Sequence, residues 1–109
     1  MISKLEYLKI HVFYGLKNRN DGFDIESIYY FSESDFEIVL DRVEELGIGI
    51  LGIEPWFDED VYGVKVVEGF NSSPSSPMWY RKAFDQFRAD KTDLLYAATY
   101  EIPEKLLKN

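Results

Sequence analysis

The segment from residue 33 to residue 46 constrains the fold more than any other part of the chain. Its apolar side chains recur at spacings of three and four, and they are Phe36, Val39, Leu40, Val43 and Leu46. This spacing is typical of a helix with one buried stripe. Ser32 and the S-x-x-E box that begins at Ser34 predict the start of the helix, and Gly47 predicts its end.

Apolar and β-branched runs flank this helix and predict strands at Ile28–Phe31 and Ile48–Ile53. Strand, helix and strand in that order indicate a right-handed βαβ unit whose two strands are parallel. The alternating segment Val61–Val67 predicts a third strand. The apolar segment Leu94–Ile102, which Pro103 follows, predicts the last one.

A second helix is predicted to begin at Pro77, with Ser76 as its N-cap, after a loop rich in Ser and Pro. Its inward side chains would be Trp79, Tyr80, Ala83, Phe84 and Phe87. The N-terminal segment is open to two interpretations. The capping box at Ser3 and the leucine spacing favour a helix, whereas Ile10–Tyr14 also suits a strand.

The whole chain, residues 1 to 109, is therefore predicted to be one α+β domain. From about residue 28 the order of its elements is that of a split-βαβ, ferredoxin-like two-layer sandwich. The residues before it would form a helical or extended N-terminal extension.

The composition excludes several classes of chemistry. The chain has no Cys and one His, which removes disulfides, thiolate zinc sites, cysteine nucleophiles and His-rich metal sites. It also lacks a phosphate-binding glycine loop before a helix, a G-x-S-x-G elbow and an H-E-x-x-H motif. We therefore expect no catalytic residues, no metal and no cofactor. No apolar run reaches the roughly 18 residues of a membrane span, so we expect a cytoplasmic protein.

Charge is distributed very unevenly. Residues 20 to 60 hold thirteen carboxylates against one basic residue, Arg42, which gives this segment a net charge of −12 in a chain of net charge −8. Such a segment would repel phosphate backbones and anionic lipids, so nucleic acid and membrane surfaces are poor partners and a basic protein is a better one. A merely solubilising acidic surface remains an alternative.

The candidate partner-binding residues come from this acidic segment. One group lies on or beside the outward face of the predicted helix and comprises Glu33, Glu37, Asp41, Glu44 and Glu45. A second group follows the second predicted strand, where the chain enters a hairpin, and comprises Glu54, Trp56, Asp58, Glu59 and Asp60. Trp56 is a candidate anchor for a partner because large aromatic residues dominate interface energetics. A place in the core is the alternative for its indole.

The stretch Gly47-Ile48-Gly49-Ile50-Leu51-Gly52, which follows the helix and precedes Glu54 and two aromatic residues, resembles the immunity protein 40 family of bacterial polymorphic-toxin systems. The likeness covers residues 28 to 57, about a quarter of the chain. It departs at Ile53 and Glu54, where the family pattern has Gly and Asp. The resemblance implies a non-enzymatic protein that binds and blocks a cognate toxin, such as a nuclease, inside the producing cell.

Two further functions compete with this one. The first is a small-ligand or regulatory α+β module, since split-βαβ domains often dimerise and hold metabolites. The second is a small enzyme, which the absence of a nucleophile, base and oxyanion set disfavours. The sequence specifies neither the identity of a toxin nor the oligomeric state.

Overall fold

The computed structural model describes residues 2 to 108. In chain order the regular elements are α1 (Lys4–His11), α2 (Glu33–Leu46), β1 (Gly49–Phe57), β2 (Asp60–Val61), β3 (Lys65–Val66), α3 (Pro77–Asp90), β4 (Leu95–Glu101) and α4 (Glu104–Leu107). A 3₁₀ turn, Val67–Phe70, follows β3. No helix within residues 2 to 108 is both long enough and apolar enough to cross a membrane.

The predicted helix over residues 33 to 46 is confirmed at both ends. The hydroxyl of Ser32 accepts a hydrogen bond from the backbone N–H of Asp35, which makes Ser32 the N-cap and places Ser34 inside the first turn. Gly47 has a φ of 73° and ends the helix in the left-handed conformation that glycine adopts without a Cβ clash. The N-terminal segment forms a helix, with the Ser3 hydroxyl accepting from the N–H of Glu6.

The sheet is antiparallel throughout the described chain. β1 is its central strand; β4 pairs along one edge of β1, and the short strands β2 and β3 pair along the other. The predicted parallel pair is therefore wrong. Phe31 makes only an isolated antiparallel bridge to Tyr96 on the outer edge of β4, and residues 18 to 30 form no strand. The α+β class, with helices packed on a sheet, is confirmed.

The predicted strand over residues 61 to 67 is interrupted. Trp56 pairs with Val61, and Ile53 pairs with Lys65. The two paired residues are three positions apart in β1 but four positions apart in the segment opposite to it. One extra residue is thus inserted near Gly63, as in a β-bulge. The predicted hairpin end at residues 58 to 60 is confirmed, because Asp60 pairs with Phe57 directly after a two-residue turn.

The helices α2 and α3 pack on one face of the sheet, which we call the inner face. Tyr96 of β4 stacks on Phe36 of α2, with ring centroids 5.2 Å apart, and meets Phe84 of α3 edge-on at 5.0 Å. Tyr96 pairs with Pro55, so the row of Ile53 and Pro55 in β1 also belongs to the inner face. The predicted inward residues of both helices are buried, apart from a half-buried Leu46.

The alternate residues of β1, Gly52, Glu54 and Trp56, face the opposite side of the sheet, which we call the outer face. The loop of residues 18 to 30 covers one end of the outer face. The rings of Phe23 and Tyr30 in this loop pack against the indole of Trp56, with centroids 5.2 and 5.3 Å away. Among residues 2 to 108, no α-helical side chain lines the rest of the outer face, which Glu68 of the 3₁₀ turn borders.

Candidate functional site

The acidic group on α2 is partly neutralised within the molecule. Arg81 of α3 places Nη2 2.7 Å from Asp41 Oδ1 and 3.0 Å from Glu44 Oε1. Arg88 of α3 approaches Glu37 to 3.9 Å. Both arginines come from a part of the chain whose net charge is near neutral. Three of the five predicted α2 residues therefore already have a cationic partner.

The other two α2 candidates, Glu33 and Glu45, make no ion pair within 4 Å in the part of the chain that the structure describes. Arg42, the one basic residue of the acidic segment, makes no ion pair within 4 Å in the described chain. Its Nη1 donates to the carbonyl oxygens of Val12 and Tyr14, and its guanidinium lies 3.7 Å from the Tyr14 ring centroid. Arg42 thus fixes α2 to the turn after α1.

The second acidic group lies around a cleft of about 390 Å³ at the β1–β2 hairpin, which we call the hairpin-end cleft. Its apolar wall consists of Phe23, Trp56, Phe57 and Leu95. Its charged lining consists of Arg19, Asp21, Asp58, Glu59 and Asp93. Four carboxylates and one guanidinium give the lining a net charge of −3. None of these five groups is within ion-pair distance of another charged side chain of residues 2 to 108.

Trp56 is half-buried and has a structural role as well as a place in the cleft wall. Its indole lies between the outer face of the sheet and the rings of Phe23 and Tyr30. The Nε1 atom is shielded from solvent and finds no hydrogen-bond acceptor in the described chain. A change at Trp56 will therefore alter loop packing together with the cleft.

The loop that completes the cleft is held by polar side chains. Asn20 Nδ2 donates to the carbonyl oxygens of Ile25 and Ile28 at 2.9 and 2.8 Å. The Tyr30 hydroxyl donates to Asp24 Oδ2 at 2.6 Å. Burial, followed by this bond to Asp24, raises the pKa of Tyr30 well above its usual range. The phenol therefore stays protonated and continues to donate.

The acidic tip of the hairpin has a defined backbone. Asp58 and Glu59 have φ values of 53° and 62°, and two successive left-handed residues between paired strands form a type I′ turn. Asp93, on the segment between α3 and β4, also has a positive φ of 63°. Left-handed backbone at a residue other than glycine costs roughly 1 kcal/mol. The tip therefore presents its carboxylates from a short, tightly specified turn.

The predicted candidates do not form one surface. The α2 group lies in the helical layer beside the inner face, whereas Glu54 projects from the outer face. Trp56, Asp58 and Glu59 meet in the hairpin-end cleft, whereas Asp60 Oδ1 accepts a hydrogen bond from the N–H of the next residue in β2, Val61.

Sequence reasoning missed several members of the cleft: Arg19, Asp21, Phe23 and Asp93. An aromatic residue inside a polar loop, Phe23 between Gly22 and Asp24, was the available signal for the loop.

Among residues 2 to 108 there is no group of three or more Asp, Glu or His side chains arranged to hold a metal ion. Comparison of the chain with protein-family descriptions, with curated proteins and with solved structures finds no match.

Proposed function

We propose that the chain is a non-enzymatic, immunity-type protein that binds and neutralises a basic toxin protein in the cytoplasm of the bacterium that produces it. The observation that carries this proposal is the hairpin-end cleft, where an aromatic wall adjoins four carboxylates that have no cationic partner within 4 Å in the described structure. A basic side chain suits both parts of this lining.

The expected binding mode follows from this chemistry. Unpaired carboxylates attract a cationic surface before contact and raise the association rate. Lys91 Nζ already lies 3.9 Å from the Phe57 ring centroid, so the aliphatic stem of a partner's Arg or Lys would pack on Trp56 while its charged end reaches Asp58 or Glu59. A hairpin backbone that a two-residue turn already defines loses little conformational entropy on binding, which favours slow dissociation.

The direct test is co-expression with the product of the adjacent gene in a toxin-sensitive bacterial host. We expect the protein to restore growth and to co-elute with that product as a stoichiometric complex in size-exclusion chromatography. Growth arrest in the presence of the well-expressed, folded protein, together with separate elution of the two chains, would refute the proposal.

A pair of matched variants tests the cleft itself. Asp58→Asn with Glu59→Gln removes two unpaired carboxylates, and Asp41→Asn with Glu44→Gln removes two carboxylates that already contact Arg81. Both double variants change the net charge equally. Exposed ion pairs contribute about 0.2 to 1 kcal/mol each, so the cleft variant should weaken toxin binding by roughly twofold to thirtyfold.

The α2 variant should change the affinity less, since its carboxylates are already compensated by Arg81. Stopped-flow association rates at two salt concentrations give the measurement. Equal effects of the two double variants would show that the total charge, and not the cleft, attracts the partner.

A further inference from the structure

The uncovered part of the outer face forms a second groove, distinct from the hairpin-end cleft. The β-sheet register places its floor on the central strand β1 and on its neighbour β4. Gly52 of β1 lies opposite Val66 on one side and Thr99 on the other, and Glu54 lies opposite Ala97. Directly paired residues of antiparallel strands share a face, so these side chains line one continuous surface.

The shape of this groove follows from residue size. The floor carries glycine and alanine at Gly52 and Ala97, whereas the rim carries Val64 and Val66. The resulting volume is about 420 Å³. Val64 and Val66 remain 61% and 43% exposed, although valine is most often buried in folded proteins. We call this feature the outer-face groove.

The charge of the outer-face groove has one sign. Its lining includes Glu54 and Glu68 and no basic residue. Glu54 is half-buried on the floor, and its carboxylate neither forms an ion pair nor accepts a hydrogen bond in the described part of the chain. A carboxylate that an apolar partner surface covers loses solvation unless a cation or donor replaces the water.

We propose that the outer-face groove binds an amphipathic, cationic segment of the basic partner protein, with apolar side chains on Val64 and Val66 and an Arg or Lys on Glu54. The proposal rests on the proposed function for the sign of the partner's charge. A second copy of this chain fits less well. Two outer faces brought together would place two copies of Glu54 and Glu68 in an apolar interface that contains no cation.

The test uses two synthetic 14-residue amphipathic peptides of Leu with Lys and of Leu with Glu, each titrated into ¹⁵N-labelled protein. We expect the Lys peptide to bind, and its chemical-shift changes to concentrate at Val66, Ala97 and Thr99. The Glu peptide should leave the spectrum unchanged. Shifts that concentrate at the hairpin-end cleft or on α2, equal binding of the two peptides, or no binding of the Lys peptide would each overturn the proposal.

Substitutions in and beside the outer-face groove identify the residues that contact the Lys peptide. Glu54→Gln should weaken binding of the Lys peptide by about twofold to fivefold and reduce its salt dependence. Val64→Thr with Val66→Thr keeps the β-branched shape and should weaken binding by a similar factor. Val61→Thr is the matched control, because Val61 is 48% exposed in the adjoining strand but does not line the groove. An equal loss of affinity for the Lys peptide in Val61→Thr would refute binding in the outer-face groove.

Sedimentation measurements over a range of protein concentrations test whether a second copy of this chain occupies the outer-face groove. Dimerisation that Val64→Thr with Val66→Thr abolishes would overturn the proposal in favour of a second copy. The growth-rescue test of the proposed function uses neither the peptides nor these variants. Rescue without peptide binding therefore refutes the outer-face groove alone, whereas peptide binding without rescue refutes only the toxin as partner.

Discussion

We expect substitution of Asn20 to give the clearest test of how the loop of residues 18 to 30 is held in place at the candidate site. Its Nδ2 donates to Ile25 O and Ile28 O at 2.9 and 2.8 Å, and its Oδ1 accepts from Gly22 N at 3.1 Å. A net hydrogen bond contributes about 0.5 to 1.5 kcal/mol, and of these three only the bond to Ile28 O is partly buried, whereas the other two are exposed. Asn20→Ala should therefore lower the free energy of unfolding by about 1.5 to 3 kcal/mol.

Urea denaturation followed by far-UV circular dichroism measures this loss, and tryptophan fluorescence should report greater solvent access at Trp56 when Phe23 moves. Gln86→Ala is the control, since Gln86 is an exposed amide on α3 without a side-chain hydrogen bond in the described structure. It should change stability by less than about 0.5 kcal/mol. Asn20→Asp keeps the acceptor and removes both donors, so it should destabilise as well. A loss below about 1 kcal/mol for Asn20→Ala would refute the assigned role.

Two further predictions concern stability. Gly49→Ala should cost about 1 to 3 kcal/mol, because a Cβ at Gly49 would lie 2.8 Å from Pro74 Cβ, whereas Gly69→Ala, with no atom within 4 Å, should be close to neutral in urea denaturation. Four tyrosines have a pKa raised chiefly by burial, and they are Tyr30, Tyr80, Tyr96 and Tyr100. For Tyr80 and Tyr96 the pKa is about 12, so their contribution to stability is complete below the unfolded pKa of about 10 and is lost as pH rises towards the folded value. Urea midpoints measured across this range should fall together with a cooperative rise in tyrosinate absorbance, and unchanged midpoints would contradict the assignment.

The helices were predictable because their signals are local. The spacing of Phe36 and Leu40 and the caps at Ser32 and Gly47 depend on neighbours within one or two turns, and the structure has each of them in the expected place. The same holds for Pro77 at the start of α3. Side chains and backbone groups a few residues apart decide these features, whatever the rest of the fold does.

Strand pairing was less predictable because it depends on distant residues. The strand predicted at residues 48 to 53 continues to Phe57, through Pro55, although proline usually ends a strand. Pro55 O accepts from Tyr62 N at 2.9 Å, so the backbone groups of Pro55 face the bulged partner strand. The missing N–H therefore falls where the ladder is already interrupted. No local pattern reveals a bulge on the other strand.

A run of acidic residues in the sequence does not by itself form one acidic surface in the fold, and the candidate site shows why. Residues 20 to 60 carry a net charge of −12, but folding brings Arg81 and Arg88 from α3 onto the helical part of this segment. The carboxylates at the hairpin and on the outer face receive no such compensation in the described structure. An ion pair made within the molecule reduces what the same carboxylate can gain from a partner, because the intramolecular contact must first be lost. Recognition of a basic partner should therefore concentrate away from α2, at Asp58, Glu59 and Glu54.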